Sequence, residues 1–473
     1  MMLATIWEYA QEHLAARSEQ AALRQTHAEY YLSLAEQAAP ELTGPDQALW
    51  LERLESEHDN LRTSLAWAID QQKAEVALRL GAALFPFWDA RGYLSEGRDW
   101  LQRMLSLSTD APAALRAKVL NGAGVLARDQ GDNTQARSFS EESLSLWRAL
   151  SDKHGIASAL NNLALAIRSQ GGYTQARVML DESLSLWREI GDMHGLASAL
   201  VSSGRVAYEQ GDYPQALTVL HESLRLWRTL GNRRGIANAL NILGILIRDQ
   251  GDYPQAITLL QESLSIWRTL GDRWGVVVSL NNLGTITLYQ GDYPQAATFV
   301  DEGLRLAQEL GNRQSAITFL TNLGLVVLEL GEYARAWSLS EQSLALQRQM
   351  GDKLNSVVSL NNLARAAMFQ GDCVQAQTFF EEGLAIGREL GPTMMIAYLL
   401  HNLGDVAQCS GDSDQAQTLY RESIMMFKEL GDKRGIAYCL EGIAGVIAPN
   451  ISQIVRRACS EPPRSCARPS TRH

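Results

Sequence analysis

Asparagines recur in this 473-residue chain at a fixed phase: Asn161-Asn162, Asn281-Asn282 and Asn361-Asn362 as pairs, Asn241, Asn322 and Asn402 singly. A carboxamide offers two donors and an acceptor with two lone pairs, so a column of them can grip the backbone of a bound peptide. Each such bond contributes only ~1 kcal/mol net, so several must act together. Arg168, Arg205, Arg248 and Arg365 project from the same helical face and suit an anionic ligand or an acidic peptide. The competing reading is internal: the asparagines bridge neighbouring repeats or face water, and the arginines pair with Glu209 and Asp249.

Other chemistry is poorly provided for. Glu57-His58-Asp59 are consecutive, and consecutive helical residues do not converge on one ion. His154 and His194 occupy matching turns without Cys or carboxylate companions at ligand spacing, so no metal site is expected. No Ser/His/Asp or Cys/His arrangement stands out. No catalytic residue, cofactor or enzymatic activity is therefore expected. Glu141, Glu142, Asp181 and Glu182 read as solvated faces. A net charge of −11 argues against direct nucleic-acid binding over the whole surface. No apolar run approaches the ~18 residues of a membrane helix, and the N-terminal segment has no secretory pattern. Five cysteines without a CxxC pair suggest reduced thiols and a cytoplasmic home.

These residues are positioned by a period. Gly followed by an acidic residue recurs at Gly131, Gly211, Gly251, Gly291, Gly331, Gly371 and Gly411, with Gly171-Gly172 in the remaining place, a spacing of 40 without drift. A second turn falls midway, at Gly191, Gly231, Gly271, Gly311, Gly351 and Gly431. Gly accepts the left-handed conformation that ends a helix, and the following Asp or Asn caps the next. Pro214, Pro254 and Pro294 stand in the first turn of the second helix, where no N–H is needed. Tyr213, Ala216, Leu217, Leu220, Leu224, Trp227 and Leu230 form one apolar stripe, and Ile236, Leu240, Leu243, Gly244 and Ile247 another. On the first helix of a later repeat, Leu280, Leu283, Gly284 and Thr287 fix the apolar face, which puts Val278, Asn281, Asn282, Thr285 and Tyr289 opposite. One hairpin cannot bury its own stripes, so stacking is obligatory. Trp147, Trp187, Trp227 and Trp267 read as core. Ala307, Gln347 and Gly387 replace them later, which predicts looser packing over residues 300–390.

Leu-Gly in the first helix (Leu243-Gly244, Leu283-Gly284, Leu323-Gly324, Leu403-Gly404), then Tyr (Tyr213, Tyr253, Tyr293, Tyr333) and Ala (Ala216, Ala256, Ala296, Ala336), resembles the tetratricopeptide repeat. The expected fold is all-α: a right-handed α-solenoid of eight to nine 40-residue hairpins, eight complete and a ninth first helix ending near Ala448, behind an N-terminal helical segment. The resemblance implies that first helices line a concave side, and so places the Asn and Arg columns in a groove for a peptide, a protein or a small effector. Asn282→Ala with Asn322→Ala and Asn362→Ala is then expected to weaken binding with melting nearly unchanged.

Residues 1–72 read as a helical linker, 73–112 as a degenerate hairpin turning at Gly92, 113–448 as the solenoid and 449–473 as a disordered basic tail. The phrases TIWEYAQEHL and EHDNLRTSLAWA resemble the region that follows the winged helix in bacterial STAND-type transcriptional regulators, ATPase switches ending in such repeats. No GxxxxGK[ST] loop or helix-turn-helix accompanies them here, which reads as the sensor part without motor or DNA reader. A free-standing scaffold joining proteins is the alternative. The composition switch at PNISQIVRRACSEPPRSCARPSTRH reads as a frame change or truncated gene.

Overall fold

The computed structural model describes residues 20–42, 44, 46–107 and 111–447. Among these residues there are 22 helices and no strand. Five come first: α1 (Gln20–Glu41), α2 (Gln47–Ser56), α3 (His58–Asp70), α4 (Ala74–Arg91) and α5 (Leu94–Leu105). Helix pairs follow as α6 (Ala113–Asp129) with α7 (Asn133–Leu150), α8 (Lys153–Ser169) with α9 (Tyr173–Ile190), α10 (Met193–Glu209) with α11 (Tyr213–Leu230), and α12 (Arg233–Asp249) with α13 (Tyr253–Leu270). The series continues through α14 (Arg273–Gln290), α15 (Tyr293–Glu309), α16 (Arg313–Glu329), α17 (Tyr333–Met350), α18 (Lys353–Phe369), α19 (Cys373–Leu390), α20 (Thr393–Cys409) and α21 (Ser413–Leu430), and α22 (Lys433–Ile447) is a ninth first helix. This is the all-helical solenoid of paired repeats that the period predicts. The phrase TIWEYAQEHL and the tail from residue 449 lie outside the described residues. The chain divides into two compact units, residues 1–282 and 283–473.

The punctuation works as its residue types require. Gly231 ends α11 at φ 66°, and the N–H of Asn232 then reaches back to the carbonyl of Trp227 at 3.1 Å. The Asn232 side chain turns forward and accepts the Gly235 N–H at 2.7 Å, capping α12. Two midway turns depart from the pattern. Ser151 takes the left-handed conformation without being glycine (φ 54°). Gly391 is extended instead (φ −93°, ψ 158°), as the following Pro392 demands.

Packing within a repeat rests on size-matched pairs. The buried Ser143, Ser183, Ser223, Ser263 and Ser423 each donate to a first-helix alanine carbonyl 26 residues earlier, at 2.7–2.8 Å. Each bond ties the two helices of a hairpin through a buried hydroxyl and one backbone carbonyl. Where Gly303 replaces the serine, Phe319 fills the space, and a β-carbon on residue 303 would sit 2.2 Å from its ring. The Trp column is buried as expected, at 4–8% exposure from Trp147 to Trp267. Ala307 and Gln347 are also buried at the equivalent places, and the Gln347 Oε1 meets no partner there. At the N-terminus, Leu54, Leu61, Leu65, Leu84, Phe87 and Trp88 share one core, so helices on both sides of residue 72 pack together.

Successive first helices touch each other: α6 with α8, α8 with α10, α10 with α12, and, in the second unit, α16 with α18 and α20 with α22. Among the described residues, the backbones of successive second helices do not come as close, and those helices meet through long side chains. Within each unit the first helices therefore form the inner face and the second helices the outer one. The outer face carries a ladder of exposed ion pairs, Arg148–Glu182 (3.2 Å), Arg188–Glu222 (3.7 Å), Arg228–Glu262 (3.2 Å), Arg348–Glu382 (2.6 Å) and Arg388–Glu422 (3.5 Å). Each contributes ~0–1 kcal/mol at most. Of the carboxylates read as solvated faces, Glu141, Glu142 and Glu182 are thus partnered, by Arg137, Arg116 and Arg148.

One expectation about the cysteines is corrected. Cys373 and Cys409 are joined by a disulfide with their Cα atoms 6.4 Å apart. The two positions lie 36 residues apart. One repeat earlier Tyr333 and Phe369 stack at the same place, ring centroids 5.1 Å apart. The inference of reduced thiols, and of a cytoplasmic home drawn from it, loses this support. Spacing rules for cysteine motifs are local and do not register a pair brought together by the repeat. Cys439 is buried and free; Cys459 and Cys466 lie outside the described residues.

Candidate ligand groove

The asparagine column lies on the first helices and is largely engaged with itself. Asn162 donates to Asn121 (2.8 Å), Asn282 to Asn241 (2.9 Å) and Asn402 to Asn361 (2.7 Å), each bond stepping back 41 residues. Asn362 uses the same step to reach the Thr321 carbonyl at 3.1 Å. Asn241, Asn282 and Asn362 are buried, at 5%, 8% and 1% exposure. The sequence pattern placed Asn282 on an open face. It is closed because each first helix packs on its own partner and on the next first helix, which leaves only a narrow inner stripe. Removing these amides therefore costs inter-repeat bonds, and the expectation of nearly unchanged melting does not stand for Asn282 and Asn362. Asn161, Asn281, Asn322, Asn361 and Asn402 remain partly exposed. The Asn161 Oδ1 is buried without a partner.

The inner stripe itself is set by positions 125, 165, 205 and 245, all half-buried: Val125, Leu165, Arg205 and Ile245. Around them, in the first unit, most arginines are taken. Arg168 donates to Glu209 at 2.7 Å, and Arg128 and Arg248 pair with the adjacent Asp129 (2.8 Å) and Asp249 (2.7 Å). Tyr208 hydrogen-bonds Asp249, and burial together with that carboxylate pushes its hydroxyl up to about 12. Arg234, at the start of α12, reaches Asp89 at the end of α4 (3.1 Å) as well as Asp272 (3.6 Å). Asp89 also lies beside Asp129. Burial, with Asp89 beside it, raises the Asp129 carboxyl above the usual carboxylate range, and burial raises that of Asp272. Arg205 has no hydrogen bond and no ion pair among the described residues. Its guanidinium is pushed down to about 10 by burial and by the neighbouring Arg168 and Arg128, and is still charged at neutral pH.

In the second unit, Arg365 donates to Glu329 at 2.8 Å. Among the described residues, no group of three or more His, Cys, Asp or Glu is placed to hold a metal ion, and no helix is long and apolar enough to cross a membrane.

Sequence reasoning missed Asn121, which accepts from Asn162 and donates to Ser158 at 3.0 Å. It stands alone in its repeat, but counting back 41 residues from Asn162 reaches it. It also missed the meeting of Arg234 with Asp89 and Asp272: Arg234 and Asp272 are turn residues of the repeat, Asp89 precedes the repeats, and they meet only because the first unit curves back on itself.

Known proteins bear on this arrangement. A tetratricopeptide-repeat profile matches residues 115–189, 155–229, 235–309 and 314–389, and a second matches 397–422. A protein described as an HTH-type transcriptional regulator of Mycobacterium bovis is 35% identical over 104 residues, 22% of this chain and 12% of that one. A counterpart in Mycobacterium tuberculosis gives the same figures. The chain thus spans only 12% of the length of these curated relatives. A STAND signal-transduction ATPase with a tetratricopeptide repeat sensor, from Pyrococcus horikoshii, superposes with a TM-score of 0.53 at 14% identity, over 73% of this chain and 55% of that one. A Rap protein complexed with Competence and Sporulation Factor gives 0.52 at 14% identity, over 82% and 99%. At such identities the likeness is one of fold. The profile matches cover more than half of the residues and coincide with the helix pairs built above: this chain belongs to the tetratricopeptide repeat family.

Proposed function

We propose that the chain is a protein- or peptide-binding module, the ligand-sensing and partner-binding arm of a STAND-type regulator, and that it performs no catalysis. The observation that carries this reading is the inner stripe. Within each unit the first helices pack against one another, and they carry the asparagines at 40-residue steps with the arginines on the same helices. An extended chain has its own regular repeat of donors and acceptors, and such a line suits it. The sensor of the P. horikoshii ATPase and the Rap protein with its bound factor are precedents for the fold in such roles.

The test is to pan a random peptide library against the full chain and to map a selected peptide by hydrogen–deuterium exchange. Saturable binding with protection gained along α8, α10 and α12 supports the groove. Protection confined to second helices, or no saturable binder after panning, overturns it.

A further inference from the structure

Arg205 and Arg365 occupy the same position four repeats apart. Arg365 reaches back 36 residues and finds Glu329. The same step back from Arg205 lands on Ser169. Serine cannot supply the charge, and the next acidic side chain, Glu209, is already held by Arg168 at 2.7 Å. Arg168 is itself incompletely satisfied, since its Nε is buried with no acceptor. Leu165 and Ile245, at the positions flanking Arg205 along the stripe, offer no acceptor either. A charged group in this setting, walled by protein and by two further arginines, is left short of one anion.

We propose that Arg205 and the Nε of Arg168 form a docking point for a single oxyanion, a carboxylate or a phosphate, on the inner face of the first unit. The planar guanidinium fork matches two oxygens of either group. Burial from bulk water strengthens the contact relative to the exposed outer ladder. The proposal deepens the groove reading by naming the chemistry its occupant must present. A peptide carboxylate and a free phosphate share that chemistry.

Thermal melting of the full chain in inorganic phosphate, at constant ionic strength against chloride, tests it. Wild type is expected to gain melting temperature in a saturable way. Arg205→Leu, which continues the apolar stripe, and Ser169→Glu, which restores the partner Arg365 has, are both expected to lose that gain. Arg365→Leu is expected to keep it. An equal response in wild type, Arg205→Leu and Ser169→Glu overturns the proposal. A second arm separates the sources: fluorescent hexaglutamate with a free C-terminus is expected to bind wild type about tenfold or more tighter than either variant. Phosphate stabilisation that depends on Arg205, with no peptide bound anywhere, leaves the oxyanion site standing and removes the peptide groove. Library peptides whose binding ignores both Arg205→Leu and Ser169→Glu do the reverse.

Discussion

The indole of Trp187 occupies the space that a β-carbon on residue 195 would need: such an atom would lie 2.5 Å from Cδ2 of the ring, and residue 195 is glycine. Trp147 with Gly155, Trp227 with Gly235 and Trp267 with Gly275 repeat the relationship, and Phe427 with Gly435 closes the series. Gly195→Ala is expected to destabilise the fold by about 1–2 kcal/mol: overpacking costs ~1–3 kcal/mol, and the better helix propensity of alanine returns part of it. Urea denaturation measures this; a neutral or stabilising result would mean that the ring shifts freely.

Where the tryptophan is lost, so is the glycine. Gln347 faces Asn355, donating to its carbonyl at 3.2 Å, while its Oε1 is buried without a partner. Gln347→Trp alone should destabilise by about 1–3 kcal/mol, and Gln347→Trp with Asn355→Gly should recover at least that loss. The coupling is read from a double-mutant cycle of melting curves. Additive single effects would contradict it.

Ser151 holds a left-handed backbone (φ 54°) at a turn where other repeats carry glycine. For a residue with a β-carbon this costs ~1–2 kcal/mol. Ser151→Gly is expected to raise stability by about 1 kcal/mol, less the extra unfolded-state entropy of glycine. A lower melting temperature would refute this.

Asn282→Ala breaks the amide bond to Asn241 and leaves a buried acceptor unmet, a cost of about 1–2 kcal/mol. Asn241→Leu added to it removes the orphaned group and should return part of the loss. Native-state hydrogen exchange on α12 and α14 reports both effects. Unchanged exchange in the single variant would show that the bond contributes nothing.

The Asp129 carboxyl binds its proton more tightly in the folded chain than in the unfolded one, because of burial and of Asp89. Between the two values the native state carries the extra proton, so stability falls as pH rises through that window. Asp129→Asn should flatten this slope above the ordinary carboxylate range of ~4, while Asp272, raised by burial, keeps its own share. Denaturation midpoints from pH 4 to 7 provide the check, and an unaltered slope rules the assignment out.

The helix pairs, their turns and the buried Trp column were legible because one period repeats them. Compensated pairs such as Gly303 with Phe319 were not, since each looks like a lapse until its partner 16 residues on is set beside it. The groove was only half legible. Helical phase set Asn282 apart from the face of Leu283 but could not say that a neighbouring helix engages it, because its partner Asn241 comes from the preceding repeat. Arg205 could be named from sequence. That it lacks a partner among the described residues could be learned only by seeing Glu209 already engaged.

The serine, outer arginine and asparagine ties span 26, 34 and 41 residues. The pair Arg234–Asp89 bridges more than three repeats and stands apart from them. Pulled from its ends, such a chain would yield hairpin by hairpin, each rupture sparing the next, and within the first unit the coil would hold longest where that ion pair keeps it shut.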